Sequence, residues 1–373
     1  MNTTSPVPAT QRLLSLDTYR GIVMFTLFAG GFGLAQVAGK FPENETLQWL
    51  KFHTSHPEWI SQFKAIGFSL WDMIQPAFMF MVGVSMPYSY GKRKELGHTY
   101  TQRLAHAWTR AIVLVLLGVF LQSMNKPETY WIFTNVLSQI GLGYGFLFFL
   151  VGRRFLLQLI IGAVVLVGYF FYMLPAGFEN GTSAPQQFDL WFLNLFPRES
   201  EFTVHPYTTF NFIPSFVTML MGVMSGQLLK NSEIPEATKL RRLLLGGLVC
   251  LLLALAWAPV CPIVKKLWTP SWALFSGAYV IWLLALLYWL IDYKGWKYGW
   301  TSFFIVVGMN SIAAYLMGQL MKPFVKSVLH THIPDTFWAA TGAWEPAAEA
   351  ILIAVFFWIT LLWMYRNRIF IRI

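Results

Sequence analysis

Ten apolar runs of about 20 residues dominate this chain, at approximately 19–38, 70–90, 107–123, 131–151, 155–174, 210–229, 243–262, 272–291, 301–321 and 348–365. As a helix, a run of that length crosses the hydrocarbon core of a bilayer. In lipid every backbone amide must find its partner inside the protein, so such runs admit helices and exclude open sheets. Only 12% of the residues are charged, against about 25% in a soluble domain. That is too few to cover a water-facing surface of this size. The sequence therefore predicts an all-α, polytopic membrane helix bundle of about ten transmembrane helices, forming a single domain over residues 1–373. Residues 1–11 are polar and rich in Pro and Thr, and read as a flexible N-terminal tail. No small-residue cleavage site follows the first apolar run, which is expected to stay as the first span.

The basic residues alternate from one connection to the next. Lys92, Arg93 and Lys94, then Arg153 and Arg154, then Lys239, Arg241 and Arg242, and finally Arg366, Arg368 and Arg372 fall on one side of the ten-span arrangement. The positive-inside rule puts that side, and with it both termini, in the cytoplasm. The net charge of +10 then reflects topology rather than nucleic-acid binding. Three long segments, about 39–69, 175–209 and 322–347, fall on the outer side, and long loops are commonly functional. The two cysteines, Cys250 and Cys261, lack any metal-ligand spacing, so neither a disulfide framework nor a metal site is expected.

Polar residues inside apolar runs narrow the search. Asp72, Gln75 and Pro76 stand at i, i+3 and i+4, while Asn135 with Gln139 and Asn211 with Ser215 stand four apart, so each set shares a helix face. Asn310 sits mid-span and Trp272 opens the eighth run. A polar group in hydrocarbon costs free energy unless it is partnered. These residues are therefore either interhelical hydrogen-bond glue or the lining of one polar cavity. An intramembrane carboxylate such as Asp72 marks a functional site by default, its bland alternative being a helix cap at the interface. His56 lies on the outer side shortly before Asp72. Should the two meet, Asp72 accepts from one imidazole nitrogen and leaves the other free as base or nucleophile. The link between them, ISQFKAIGFSL, must fold back for that to happen. In SLDTYRG, Asp17 and Arg20 form an i, i+3 pair, with Ser15 or Asp17 available as an N-cap. Arg20 could instead hold a phosphate or carboxylate.

The blocks RLLSLDTYRG, HPEW and WDMIQPAFMFMVGVSM, followed in order by NVLSQIGLGY, NFIPSFVTMLMGVMSGQLL and GMNSIAAYL, closely resemble the membrane acyltransferases of the heparan-alpha-glucosaminide N-acetyltransferase type. The bacterial, uncharacterised-domain branch is the nearer one. The resemblance implies an acetyl or acyl transferase drawing on cytosolic acyl-CoA. It carries a catalytic role to His56 of the H-x-x-W motif and to Asp72 of D-x-x-x-P. Donor contacts are then expected from Arg20, Asn135, Gln139 and Asn310, and acceptor contacts from Trp59, Asn211 and Trp272. The implied partners are a sugar or glycan acceptor, taken on an amine or hydroxyl at the periplasmic side, and membrane lipids, with no nucleic acid and no metal. A homodimer is compatible with the family, and the implied location is the bacterial inner membrane. The competing class is a multi-pass transporter of a small polar solute without chemistry, for which Gly- and Pro-interrupted spans also speak.

Overall fold

The structure, a computed structural model, describes residues 13–56 and 69–371. Among these residues all regular secondary structure is helical: α1 (Leu14–Phe28), α2 (Leu34–Gly39), α3 (Glu45–Thr54), α4 (Ile74–Glu95), α5 (Tyr100–Ser123), α6 (Val136–Leu147), α7 (Phe155–Met173), α8 (Ala184–Phe192), α9 (Phe212–Lys230), α10 (Glu236–Trp257), α11 (Pro270–Leu287), α12 (Gly299–Met309), α13 (Ser311–Leu320), α14 (Lys322–His332), α15 (Asp335–Thr341) and α16 (Glu345–Arg366). Local chemistry starts several of them. Asn44 caps α3, Thr99 and Gln102 form a reciprocal capping box on α5, Asn135 caps α6, and Thr269 with Pro270 opens α11. In each case a side-chain oxygen takes an amide the helix leaves unbonded. α1 begins without such a cap: it starts at Leu14, so Ser15 and Asp17 lie inside its first turn.

Among the described residues six helical segments are long and apolar enough to cross a bilayer, and two bent pairs raise the number to eight. The molecule is an integral membrane protein. The other two predicted runs are helical but fall short by this measure. α4 carries Lys92, Arg93, Lys94 and Glu95 in its last turn, and Val136–Leu150 is short. Burial separates centre from periphery. The α9 span is 72% buried, whereas those of α10, α7 and α5 are 17%, 22% and 28% buried and turn apolar faces outward.

Glycine permits the tightest crossings. A Cβ on Gly83 of α4 would strike the carbonyl of Met219 on α9, and Cβ atoms on Gly222 and Gly226 would strike Phe80 and Val84 in return. α1 meets α12 the same way, Gly21 against Phe304 and Gly308 against Asp17. Small residues let membrane helices approach closely enough for dispersion to hold them.

Two breaks shape the bundle. Between α1 and α2 the chain bends by 41° through Gly30, Gly31, Phe32 and Gly33, all at left-handed φ between 57° and 65°. Three of the four are glycine, the residue that adopts this conformation without a Cβ clash. The bend sends α2 and α3 across the bundle end and delivers His56. The second break, 72° between α12 and α13, falls at Asn310. There the fully buried Asn310 side chain donates to the carbonyl of Ile369 at 2.8 Å and accepts from the amide of Ile371 at 3.1 Å. It holds the chain beyond α16 at the break, satisfying a carbonyl and an amide of that segment.

Candidate active site

His56 follows α3, and Asp72 sits in a single 3₁₀ turn, Trp71–Met73, ahead of α4. Ser69 closes the ends of the intervening link onto each other. Its hydroxyl donates to the carbonyl of Ser55 at 2.8 Å and accepts from the amide of Asp72 at 3.2 Å. With that clasp made, His56 Nδ1 lies 2.7 Å from Asp72 Oδ1. A carboxylate accepts only, so the proton of this short bond belongs to Nδ1. Nε2 is then left with its lone pair and without a partner among the described residues. The folding back that the sequence demands is achieved; the link itself, 57–68, and Trp59 with it, lie outside the described residues.

A third group completes the cluster, and sequence reasoning missed it. Lys265 Nζ donates to the same Asp72 oxygen at 2.9 Å and stands 3.2 Å from His56 Nδ1. It comes from the Cys261–Thr269 connection between α10 and α11, which folds tightly on itself. Thr269 Oγ1 donates to Pro262 at 2.7 Å and accepts from the Val264 amide at 3.0 Å, and the Thr269 amide returns to the Val264 carbonyl at 3.2 Å. The Lys265 side chain is 8% exposed, Asp72 5% and His56 45%. Burial pulls the Lys265 ammonium below its ordinary range, and the Asp72 charge pulls it back up.

His56 and Lys265 line a cavity of about 270 Å³ together with Trp71, Gln75, Phe78, Gln122, His205, Tyr207 and Tyr315. Its wall combines aromatic, amide, hydroxyl and aliphatic side chains, with Phe78 and Tyr315 stacked at 6°. Tyr207 faces Lys265, whose Nζ lies 5.9 Å from its ring. Burial and then the Asp72 charge push the Tyr207 phenol above its ordinary range, keeping it a neutral hydroxyl.

The remaining expected site residues are not gathered on this cavity. Asn135 caps α6 and accepts from the hydroxyl of Tyr315 at 3.4 Å, so it touches the wall from behind. Gln139 spends its amide group on the carbonyls of Phe133, Thr208 and Thr209 at 2.7, 3.2 and 3.1 Å. Asn211 accepts from Thr208 and donates to the carbonyl of Lys266 at 2.8 Å. These two side chains brace the segments that present Tyr207 and Lys265. Trp272 is buried in the core at 1% exposure, and Asn310 holds the C-terminal segment. Arg20 stands 3.6 Å from Asp17 at the start of α1. The polar faces thus serve as glue more than as lining, because a buried amide satisfies itself on the nearest backbone carbonyl. Asp189 of α8 does similar work, accepting from the Thr209 amide at 2.7 Å. Among the described residues no group of three or more His, Cys, Asp or Glu could hold a metal ion.

The site thus places a histidine against a buried carboxylate beside a mixed polar and apolar cavity. A family profile described as heparan-alpha-glucosaminide N-acetyltransferase, catalytic, matches residues 12–257, about two thirds of the chain. The match includes His56, Asp72 and the α4–α9 crossing; Lys265 lies just beyond it. Comparison with curated proteins finds no match. On the strength of the profile and of this site, the chain belongs to the family of the heparan-alpha-glucosaminide N-acetyltransferase catalytic domain.

Proposed function

We propose that the protein transfers an acetyl or other acyl group from a cytosolic acyl-CoA to a sugar or glycan acceptor at the periplasmic face of a bacterial inner membrane. In this reading the bundle has ten spans and both termini in the cytoplasm, which the alternation of basic connections supports. The observation that carries the reading is the 2.7 Å His56–Asp72 bond beside the cavity, with Nε2 unpartnered. Nε2 removes the proton from the acceptor's amine or hydroxyl as that atom bonds to the thioester carbon. The C–S bond breaks, and the departing thiolate takes the proton from Nε2. Alternatively Nε2 attacks the thioester carbon and the C–S bond breaks, CoA leaving as thiolate; the acceptor then attacks the acyl-imidazole carbon, the N–C bond breaks, and the acceptor's proton goes to the thiolate. Asp72 fixes the tautomer in both routes. The aromatic and amide wall suits a ring bearing hydroxyl groups, and Arg20 serves the donor's phosphates once its long contact with Asp17 is exchanged.

The two broken helices also fit a transporter without chemistry. Labelled acetyl-CoA separates the readings. Purified protein in membranes, given the donor and glucosamine-type acceptors, is expected to label the acceptor, and without acceptor a labelled His56 peptide would mark the two-step route. If no CoA donor yields acceptor-bound or protein-bound label, or if His56→Ala keeps full activity, the enzyme reading fails.

A further inference from the structure

The three groups of the cluster carry a charge balance that the family match does not reach, since Lys265 lies outside the matched segment. We propose that Lys265 is a positioning residue that neutralises Asp72 so that His56 need not, and thereby holds the resting imidazole uncharged with Nε2 free.

The argument starts from Asp72, a buried carboxylate that must be compensated. Two groups reach its Oδ1, His56 at 2.7 Å and Lys265 at 2.9 Å. Were Lys265 absent, the cheapest partner would be an imidazolium, and both nitrogens of His56 would carry protons. With the ammonium in place the carboxylate is already neutralised. A second cation, with Nδ1 only 3.2 Å from Nζ, would set two positive charges against one buried carboxylate, of which only the His56 charge would reach solvent. None of the other described groups facing His56 across the cavity supplies a negative charge. His205 and Tyr207 come from the segment ahead of α9 and Tyr315 from α13, while Lys266 adds a further positive charge beside Lys265. Asp72 is the one carboxylate among the described residues there. The geometry assigns the bonds uniquely. Because Nδ1 gives its proton to Asp72, it has no lone pair for Nζ, and Lys265 donates to the carboxylate. The tight Cys261–Thr269 turn and the Asn211 bond to the Lys266 carbonyl hold the ammonium at that position. The inference rests on the acyltransferase reading only for its consequence, namely that a nucleophile or base is ready at neutral pH. Its physical content is independent of turnover.

The test therefore reads His56 directly. Diethyl pyrocarbonate acylates only uncharged imidazole, and the modified His56 peptide can be followed by mass spectrometry on the full-length protein across pH. In Lys265→Met the midpoint of His56 modification is expected about one to two pH units higher than in the wild type. Lys265→Arg is expected to keep the wild-type midpoint, because a guanidinium holds its charge. Asp72→Asn combined with Lys265→Met is expected to return the midpoint towards the wild-type value. His98, in the connection ahead of α5, serves as the internal reference for reagent activity, and thermal unfolding in detergent checks the fold. Equal midpoints in wild type and Lys265→Met, or the same displacement in Lys265→Arg as in Lys265→Met, would overturn the proposal. Should Lys265→Met fail to fold, Lys265→Gln takes its place against Lys265→Arg. With a working acyl-transfer assay, the acid limb of kcat/KM is expected to move with the modification midpoint. Failure to find any CoA donor would defeat the acyltransferase reading and leave the modification curves to decide the role of Lys265.

Discussion

The molecule contains a second trio of the same residue types. On the connection side of α14 and α16, Glu349 Oε2 accepts from Lys326 at 3.0 Å and from His330 at 3.1 Å. One carboxylate oxygen shared by a lysine and a histidine is the geometry of Asp72 with Lys265 and His56. The difference is solvent. Lys326 is 56% exposed and Glu349 16%, whereas Lys265 and Asp72 are 8% and 5% exposed. His330 stacks on Trp338 with centroids 4.3 Å apart instead of opening onto the cavity. An exposed ion pair contributes roughly 0–1 kcal/mol because water competes for both charges. A buried one has no such competitor, so each member dictates the state of the others. Residue type does not distinguish a site from a surface stitch; burial and an adjoining cavity do.

The sharpest way to break this comparison is to remove each histidine in turn. His56→Ala is expected to lower acyl transfer by about 10²–10⁴-fold, while His330→Ala stays within about twofold, as suits a residue outside the site. Equal losses would erase the distinction.

Exchanging the carboxylates comes next. Asp72→Asn strands the Lys265 charge in the interior and should cost about 3–5 kcal/mol, read as a large loss of thermal stability in detergent. It should also reduce turnover by fixing the wrong tautomer. Glu349→Gln is expected to cost about 1 kcal/mol or less.

A further buried carboxyl, Asp189, sharpens the contrast because no cation among the described residues pairs with it. Burial pushes Asp189 from 3.8 up to about 6, against the opposing pull of the Thr209 amide. A carboxyl raised on folding contributes stability that is fully present below its unfolded value and lost as pH rises through its folded value. Melting temperature should therefore fall between pH 3.8 and about 6 from this group, and Asp189→Asn should remove that part of the slope. An unchanged slope in the variant would show that the carboxyl is compensated by something else.

Salt gives the smallest effect. At about 1 M salt the Debye length is near 3 Å, so the stability difference between wild type and Lys326→Ala should vanish. The penalty of Lys265→Ala should persist, and its disappearance would place Lys265 in reach of solvent ions.

Helix occupies most of each of the ten apolar runs, six to eight segments being long and apolar enough to span among the described residues, and His56 and Asp72 stood out as candidates in the sequence. The roles of Gln139, Asn211 and Asn310 did not. Their intramembrane position marked them as partnered, but a sequence does not say which carbonyl lies nearest. In the fold they reach the backbone at Thr208, Lys266 and Ile369. Lys265 was hidden for the same reason. It is 193 residues from Asp72 in the chain, in a short connection whose lysines read as ordinary loop charge.

What the sequence by itself determined is the class of the molecule: apolar length and scarce charge leave only a helical membrane bundle, because backbone amides in lipid must bond within it. It also singled out His56 and Asp72 as candidates on either side of the 57–68 link, while leaving open whether they meet. Only the tertiary structure decided which cation joins that pair, which polar faces line a cavity and which merely hold the chain together. Those outcomes depend on what is excluded from water at each point, and burial is a property of the packed helices rather than of any segment alone.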